Sequence, residues 1–288
     1  MERLHAIGRQ AGVSALAVTF YDYASDLGFS LRGGRTFHAA STIKLAILLA
    51  LYRAAEAGRL QLKDQLHVRN RFASQVPGAP PFFLSPDRDG DPDLYKHIGR
   101  TASLSFLANT MIVRSSNLAT NLLVDHLGVS FITETLAAAG LESLHCRRGV
   151  EDEAAFGENI NNQIDADGLL LWLRRVHENR AVSEESREAM FGILFRQKFN
   201  GMIPAGLPNS AKARVAHKTG EISTVCHDAG MIFLPEREPY ALVVLTEYAG
   251  AGSAASRNRA IAAVSSTVFH FLAKAHAALS NGESAARV

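Results

Sequence analysis

A serine followed three residues later by a lysine is the first pairing in this chain that points to covalent chemistry. Ser41 and Lys44 enclose Thr42 and Ile43. A serine hydroxyl needs a base to become a nucleophile. On a helix, positions i and i+3 share a face, so Lys44 reaches the Ser41 hydroxyl. Ser41 stands at the expected helix start, where backbone N–H groups and the helix dipole favour a developing oxyanion. Lys44 lies in an otherwise apolar run, and burying an ammonium there drives its pKa down toward that of a useful base. Alone the pairing is weak. Ser is a common helix cap, Lys is a common helix residue, and a chain of this length holds about one such tetrapeptide by chance.

Two further patterns carry polar groups suited to the same reaction. Ser115, Ser116 and Asn117 form a Ser-x-Asn element. The Ser115 hydroxyl suits proton relay near a leaving group, and the Asn117 amide suits holding a substrate carbonyl. The plain alternative is an ordinary polar helix start. Lys218, Thr219 and Gly220 lie on an expected strand. A cation there suits a substrate carboxylate, and the backbone beside Gly220 permits close approach of a ligand. The plain alternative is a polar strand edge. His217 and His227 flank this tripeptide. A Ser-His arrangement is conceivable, but polar strand positions are the simpler account.

These groups need elements to hold them. Residues 15–21 are rich in β-branched and aromatic types, 22–28 carry turn chemistry and 29–31 return, which reads as an N-terminal hairpin. Residues 43–57 are strong helix formers, apolar on nearly every face, so a buried helix is expected with Gly58 at its end. Helical patterns follow at 103–113, 118–127, 129–139, 166–178 and 183–196. Strands are expected at 213–219, 226–234 and 240–247, and a closing helix at 256–277. Strands at both chain ends most simply pair into one antiparallel sheet. The expected organisation is a discontinuous α/β lobe of residues 1–38 and 210–288, a helical lobe of 39–209, and an active site in the cleft between them. Two irregular stretches stand apart. Residues 70–100 are broken by Pro77, Pro80, Pro81, Pro86 and Pro92, and a loop this long is functional or mobile. Phe82, Phe83 and Tyr95 either line a pocket there or anchor the loop. Residues 147–162 form the second loop. The polar tail 281–288 is expected to fray.

Taken in order, Ser-x-x-Lys opening a buried helix, Ser-x-Asn among the middle helices and Lys-Thr-Gly on a late strand resemble the signature of class A β-lactamases and penicillin-binding proteins. The similarity extends to residues 41–60 and 104–123 and covers roughly 15–277. It implies the two-lobed α/β β-lactamase/transpeptidase-like fold. It implies that Ser41 attacks a lactam or peptide carbonyl, Lys44 helps deprotonate it and Ser115 relays a proton to the leaving nitrogen. It further implies that Asn117 holds the substrate amide, that Lys218 and Thr219, with Gly220 beside them, bind its carboxylate, and that the backbone N–H groups of Ser41 and Glu221 form the oxyanion hole. No metal or organic cofactor is implied. A monomeric enzyme acting on a small β-lactam or a related ester or amide, outside the cytoplasmic membrane, is the expectation.

The chain departs from this pattern in three places. The glutamate that activates the deacylating water in class A enzymes sits in a Glu-x-x-Leu-Asn segment, which is missing. Glu151 is nearest in position, with Asp152 and Glu153 as rivals; all three also read as solvated loop acids. Glu221 follows Lys-Thr-Gly where the family has a small residue. The 70–100 loop is longer than usual. A chain lacking the base would acylate and stall, as a transpeptidase or penicillin receptor does, so a D,D-peptidase, an esterase or a slowly deacylating receptor stands beside β-lactam hydrolysis.

Bulk properties bound the rest. The 288 residues carry a formal charge of +2, with 47% hydrophobic and 20% charged residues, and the basic residues are scattered, which argues against nucleic-acid binding. Cys146 and Cys226 read as two independent small hydrophobes rather than a disulfide. No Cys-x-x-Cys or His-Glu-x-x-His pattern offers a metal site. Residues 1–8 lack the basic start and apolar run of a signal peptide, which leaves a cytoplasmic chain or one beginning at a mature end. No apolar stretch is long enough to span a membrane.

Overall fold

The two β-rich ends of the chain join in one sheet. The computed structural model describes residues 1–250 and 253–280; the tail expected to fray lies outside them. Five strands, β1 (Val13–Asp22), β2 (Leu27–Leu31), β3 (Arg214–Ile222), β4 (Val225–Phe233) and β5 (Tyr240–Tyr248), are arranged in the order β2-β1-β5-β4-β3. Every neighbouring pair is antiparallel. The long-range pairing sets Val18 opposite Val244, more than two hundred residues apart in sequence. β4 and β5 are buried along almost their whole length, as strands covered on both faces must be.

The chain divides into two compact units. The first comprises Met1–Thr42, Asp165–Arg174 and Phe199–Val288. Its core is built from Leu16, Val18, Phe20, Leu242 and Val244 of the sheet with Ile261, Val264, Val268 and Leu272 of the last helix, α9 (Ala254–Ser280). Leu4 joins it from α1 (Glu2–Gln10), an amphipathic helix absent from the sequence expectation, with Ile7 packed beside it. The bounds differ from those the sequence suggested. The start of α7 (Ala166–His177) joins this unit because Ala166 N and Asp167 N both donate to Gly33 O, at 2.9 and 3.1 Å, and Thr19 Oγ1 donates to Ala166 O. A Cβ at Gly33 would stand 2.0 Å from Asp167 Oδ1, so a larger residue there would displace the Asp167 side chain. Residues 199–209 join through Ile203, whose N–H donates to Asp228 Oδ2 at 2.9 Å and whose carbonyl accepts from Ser265 Oγ at 2.8 Å.

The second unit, Ile43–Ile164 and Arg175–Lys198, is helical. It holds α2 (Lys44–Glu56), α3 (Leu104–Val113), α4 (Asn117–Leu127), α5 (Val129–Ala138), α6 (Glu153–Gly157) and α8 (Glu184–Leu194). From Lys44 to Tyr52 every residue of α2 is buried, as its all-round apolar pattern predicts. Ser103, Ser116 and Ser183 cap α3, α4 and α8 through their hydroxyls.

The 70–100 loop is tied down rather than loose. Asn70 clasps Leu84 through both its amide atoms at 2.8 Å, and Phe72 pairs with Phe82 by reciprocal backbone bonds. Cys146 and Cys226 are both free and buried, and burial pushes the Cys146 thiol up to about 12. Among the described residues no helix is long and apolar enough to cross a membrane, and no group of three or more His, Cys, Asp or Glu could hold a metal ion.

Candidate active site

Ser41 does not begin a regular α-helix. It lies in a 3-10 turn, Ala40–Ile43, that runs directly into α2, whose first residue is Lys44. The turn is held by Thr42, whose N–H and Oγ1 both donate to Ala39 O, at 3.1 and 2.5 Å. Ala40 immediately before Ser41 adopts a left-handed φ of 44°. Such a conformation is costly for a residue with a Cβ and persists where its surroundings fix it. Ser41 itself is half-buried.

The third motif stands against this turn. A Cβ built on Gly220 would lie 3.0 Å from Thr42 N and Cγ2 and 3.2 Å from Ser41 N, so the strand backbone approaches the serine's own amide as only glycine readily allows. Lys218 and Thr219 are buried, whereas Glu221 is exposed. Lys218 Nζ donates to Thr219 O at 2.8 Å. Burial lowers the Lys218 pKa to about 7, partly opposed by the Asp228 carboxylate.

His217 and His227 are buried within the sheet and engaged there. His217 Nδ1 bonds Asp228 Oδ1 at 2.9 Å and its Nε2 bonds Asn200 Oδ1 at 3.0 Å. His227 Nε2 donates to His38 O at 2.9 Å while its Nδ1 accepts from Thr246 N at 3.2 Å, the pattern of a neutral ring. Burial lowers its pKa to about 4.

The helical unit assembles the remaining groups around Lys44. Its Nζ is buried and donates to Ser115 O at 2.6 Å, Ser115 Oγ at 3.1 Å and Asn117 Oδ1 at 2.9 Å. Three oxygens around the one nitrogen satisfy the hydrogen bonding that a buried polar group requires. The Asn117 amide faces two ways: Oδ1 accepts from Lys44, and Nδ2 donates to Glu151 Oε1 at 2.7 Å. Ser115 and Glu151 both adopt left-handed backbone, φ 59° and 62°. Three left-handed residues thus sit at or beside the groups singled out for chemistry.

The three acids of the second loop have different surroundings. Glu151 is half-buried on Asn117, with Arg88 Nε 3.4 Å from its Oε2. Asp152 is buried and accepts from Ser74 Oγ at 2.8 Å, Gln75 N at 2.9 Å and Ala155 N at 3.1 Å. Glu153 is exposed. A pocket of about 290 Å³ beside Glu151 is lined by Pro80, Pro81, Phe82, Phe83 and Arg88 among others. The Tyr95 hydroxyl donates to Asp89 Oδ2 at 3.1 Å, a bond within the loop itself.

Two supporting residues escaped the sequence reading. Asn121 holds the backbone on the N-terminal side of Glu151: its Oδ1 accepts from Val150 N at 2.7 Å and its Nδ2 donates to Val150 O at 2.9 Å. A Cβ on Gly149 would lie 2.9 Å from Asn121 Oδ1. The available signal was the spacing of Asn117 and Asn121, which places both amides on one face of α4. Asp89 accepts from Leu118 N at 2.8 Å and Ser116 Oγ at 3.3 Å, so the 70–100 loop caps the helix that carries Asn117. No local pattern announces that contact.

The family model described as the β-lactamase enzyme family matches residues 1–272. Among solved structures, a β-lactamase from Sphaerobacter thermophilus DSM 20745 is 26% identical, with 93% of this chain and 96% of that one covered at a TM-score of 0.77. A variant of the class A β-lactamase of the last common ancestor of Gram-negative bacteria is 25% identical over 94% and 98% of the two chains, also at 0.77. A structure described as PBP-A shares the fold, at 24% identity, 95% and 97% coverage and a TM-score of 0.78. No curated protein sequence gives a significant match. With nearly its whole length matched, the chain belongs to the β-lactamase enzyme family.

Proposed function

We propose that this β-lactamase-like hydrolase opens β-lactams through an acyl-serine intermediate on Ser41 and then hydrolyses that intermediate. The observation that carries the reading is the Asn117 amide, bonded to Lys44 on one side and Glu151 on the other. A stalled acylating protein needs the first contact; a hydrolase needs a carboxylate in addition.

In this reading Ser41 Oγ attacks the lactam carbonyl carbon, its proton passing to the basic group of Lys44. The Ser41 and Glu221 backbone N–H groups receive the developing oxyanion. The lactam C–N bond then breaks, and Ser115 Oγ passes a proton from Lys44 to the departing nitrogen. Lys218 and Thr219 hold the substrate carboxylate, and the Asn117 amide its side-chain carbonyl. Deacylation follows when Glu151 takes a proton from water, the resulting hydroxide attacks the acyl carbon, and the ester C–O bond breaks with the proton returned to Ser41 Oγ. Work outside the cytoplasmic membrane is part of this reading, by analogy with the family.

The test is hydrolysis of a chromogenic cephalosporin, with Ser41→Ala as control. Turnover that vanishes in the control supports the reading. A protein that gains the mass of one opened lactam and keeps it would be a slowly deacylating receptor. No reaction would direct the search to D-Ala-D-Ala peptides and simple esters.

A further inference from the structure

We infer that Asp152 is a positioning residue for deacylation, holding Glu151 against Asn117 by tying its loop to residues 74–75. The inference rests on Glu151 being the deacylating base.

Glu151 has left-handed backbone, so its side chain keeps its aim only while the residues on either side are restrained. Asn121 restrains the preceding residue through both hydrogen bonds to Val150. Asp152 restrains the following side. The residue is 1% exposed, and its carboxylate accepts three hydrogen bonds, two of them from Ser74 and Gln75 across more than seventy residues of chain. The third, to Ala155 N, caps the short helix α6 and by itself would be a purely local role. The bonds to Ser74 and Gln75 do not serve that cap. They join the loop that carries Glu151 to the Pro-rich loop whose Arg88 also reaches Glu151 Oε2. Burial and full hydrogen bonding leave Asp152 without access to a substrate water, which separates it from the base role that its place in the sequence also allows. A carboxylate misplaced by about 1 Å loses on the order of a hundredfold in a proton transfer that depends on alignment.

Acylation and deacylation are resolved with a chromogenic cephalosporin by rapid mixing, and the acyl-enzyme is weighed by mass spectrometry. Asp152→Ala should leave the acylation rate constant within about twofold and lower deacylation at least about tenfold, with acyl-enzyme accumulating. Asp152→Asn keeps the acceptor for Ser74 and Ala155 but turns a donor toward Gln75 N–H, so it should fall between wild type and alanine. Ser74→Ala spares the helix cap and guards against a folding defect in the others; it should slow deacylation alone, by less. Equal loss in both steps, or no loss in deacylation, overturns the proposal. Glu151→Gln in the same assay separates the two claims. If it deacylates normally, the assignment of the base fails and this inference with it. If it traps the acyl-enzyme while Asp152→Ala and Ser74→Ala do not slow deacylation, only the role of Asp152 fails. Wild-type protein that never acylates overturns both.

Discussion

Lys44 and Lys218 are both buried lysines, yet their surroundings differ. Lys44 is given three oxygen acceptors from Ser115 and Asn117. Lys218 is dominated by burial, which brings its pKa to about 7. The sign of the consequence is definite. A lysine lowered to that value is cationic below about pH 7 and neutral above it, so on the proposed reading its attraction for a substrate carboxylate is present on the acid side and fades as pH rises. KM for an anionic cephalosporin should therefore climb between pH 7 and 9, while Lys218→Arg, charged throughout, should flatten the climb. A flat wild-type KM over that range would remove Lys218 from carboxylate binding. At this scale the Ser-x-x-Lys pattern was legible as a local spacing, whereas the 3-10 turn that holds Ser41 and the bonds of Lys44 to Ser115 and Asn117 were not. The choice among Glu151, Asp152 and Glu153 was not, because adjacent residues in one loop differ only in what distant segments place against them.

Between elements, the Pro-rich loop turns out to brace the second motif. Its proline and glycine content announced irregular chain, and regular elements are indeed short there: two 3-10 turns, Pro86–Arg88 and Pro92–His97. What composition did not show is that Asp89 supplies the helix-end acceptor for Leu118 N, or that Gly90 lies so close to the chain that a Cβ would stand 2.0 Å from Arg114 O. Asp89→Ala should destabilise the protein by about 1–2 kcal/mol, the usual loss for a helix cap in a partly buried setting, and slow acylation by loosening Ser115 and Asn117. Thermal unfolding and single-turnover acylation measure the two effects. An unchanged melting temperature would show that the loop rests on α4 without supporting it. The buried character of α2 and the late strands was readable from periodicity. The first helix was missed, although Leu4 and Ile7 share one face of it and pack on the core of the first unit.

For the molecule as a whole, the sheet that joins the chain ends encloses His227, the cross-strand partner of Gly220. Burial lowers its pKa to about 4, against 6.5 for an ordinary imidazole. The unfolded chain then binds more protons than the folded one between these values. Stability is complete above about pH 6.5 and is lost as pH falls toward 4, by on the order of 3 kcal/mol. Denaturant unfolding at pH 7 and pH 4.5 should show this decline, and His227→Gln should lessen it. If the variant and wild type fall in parallel, the acid sensitivity lies with other groups.

Sequence alone determined the family resemblance, the strands at both ends, the run of helices between them and the identity of the three motifs, because each of these is written in local spacing and order. Tertiary structure decided which loop acid touches Asn117, that His217 and His227 are occupied within the sheet, and that residues 165–174 pack with the chain ends. Those outcomes depend on hydrogen bonds and close approaches between residues far apart in the chain, such as Asp152 with Ser74 and Gly33 with Asp167. Local propensity carries no record of such partners; they exist only once burial has brought the segments together and each buried polar group must find an acceptor or donor.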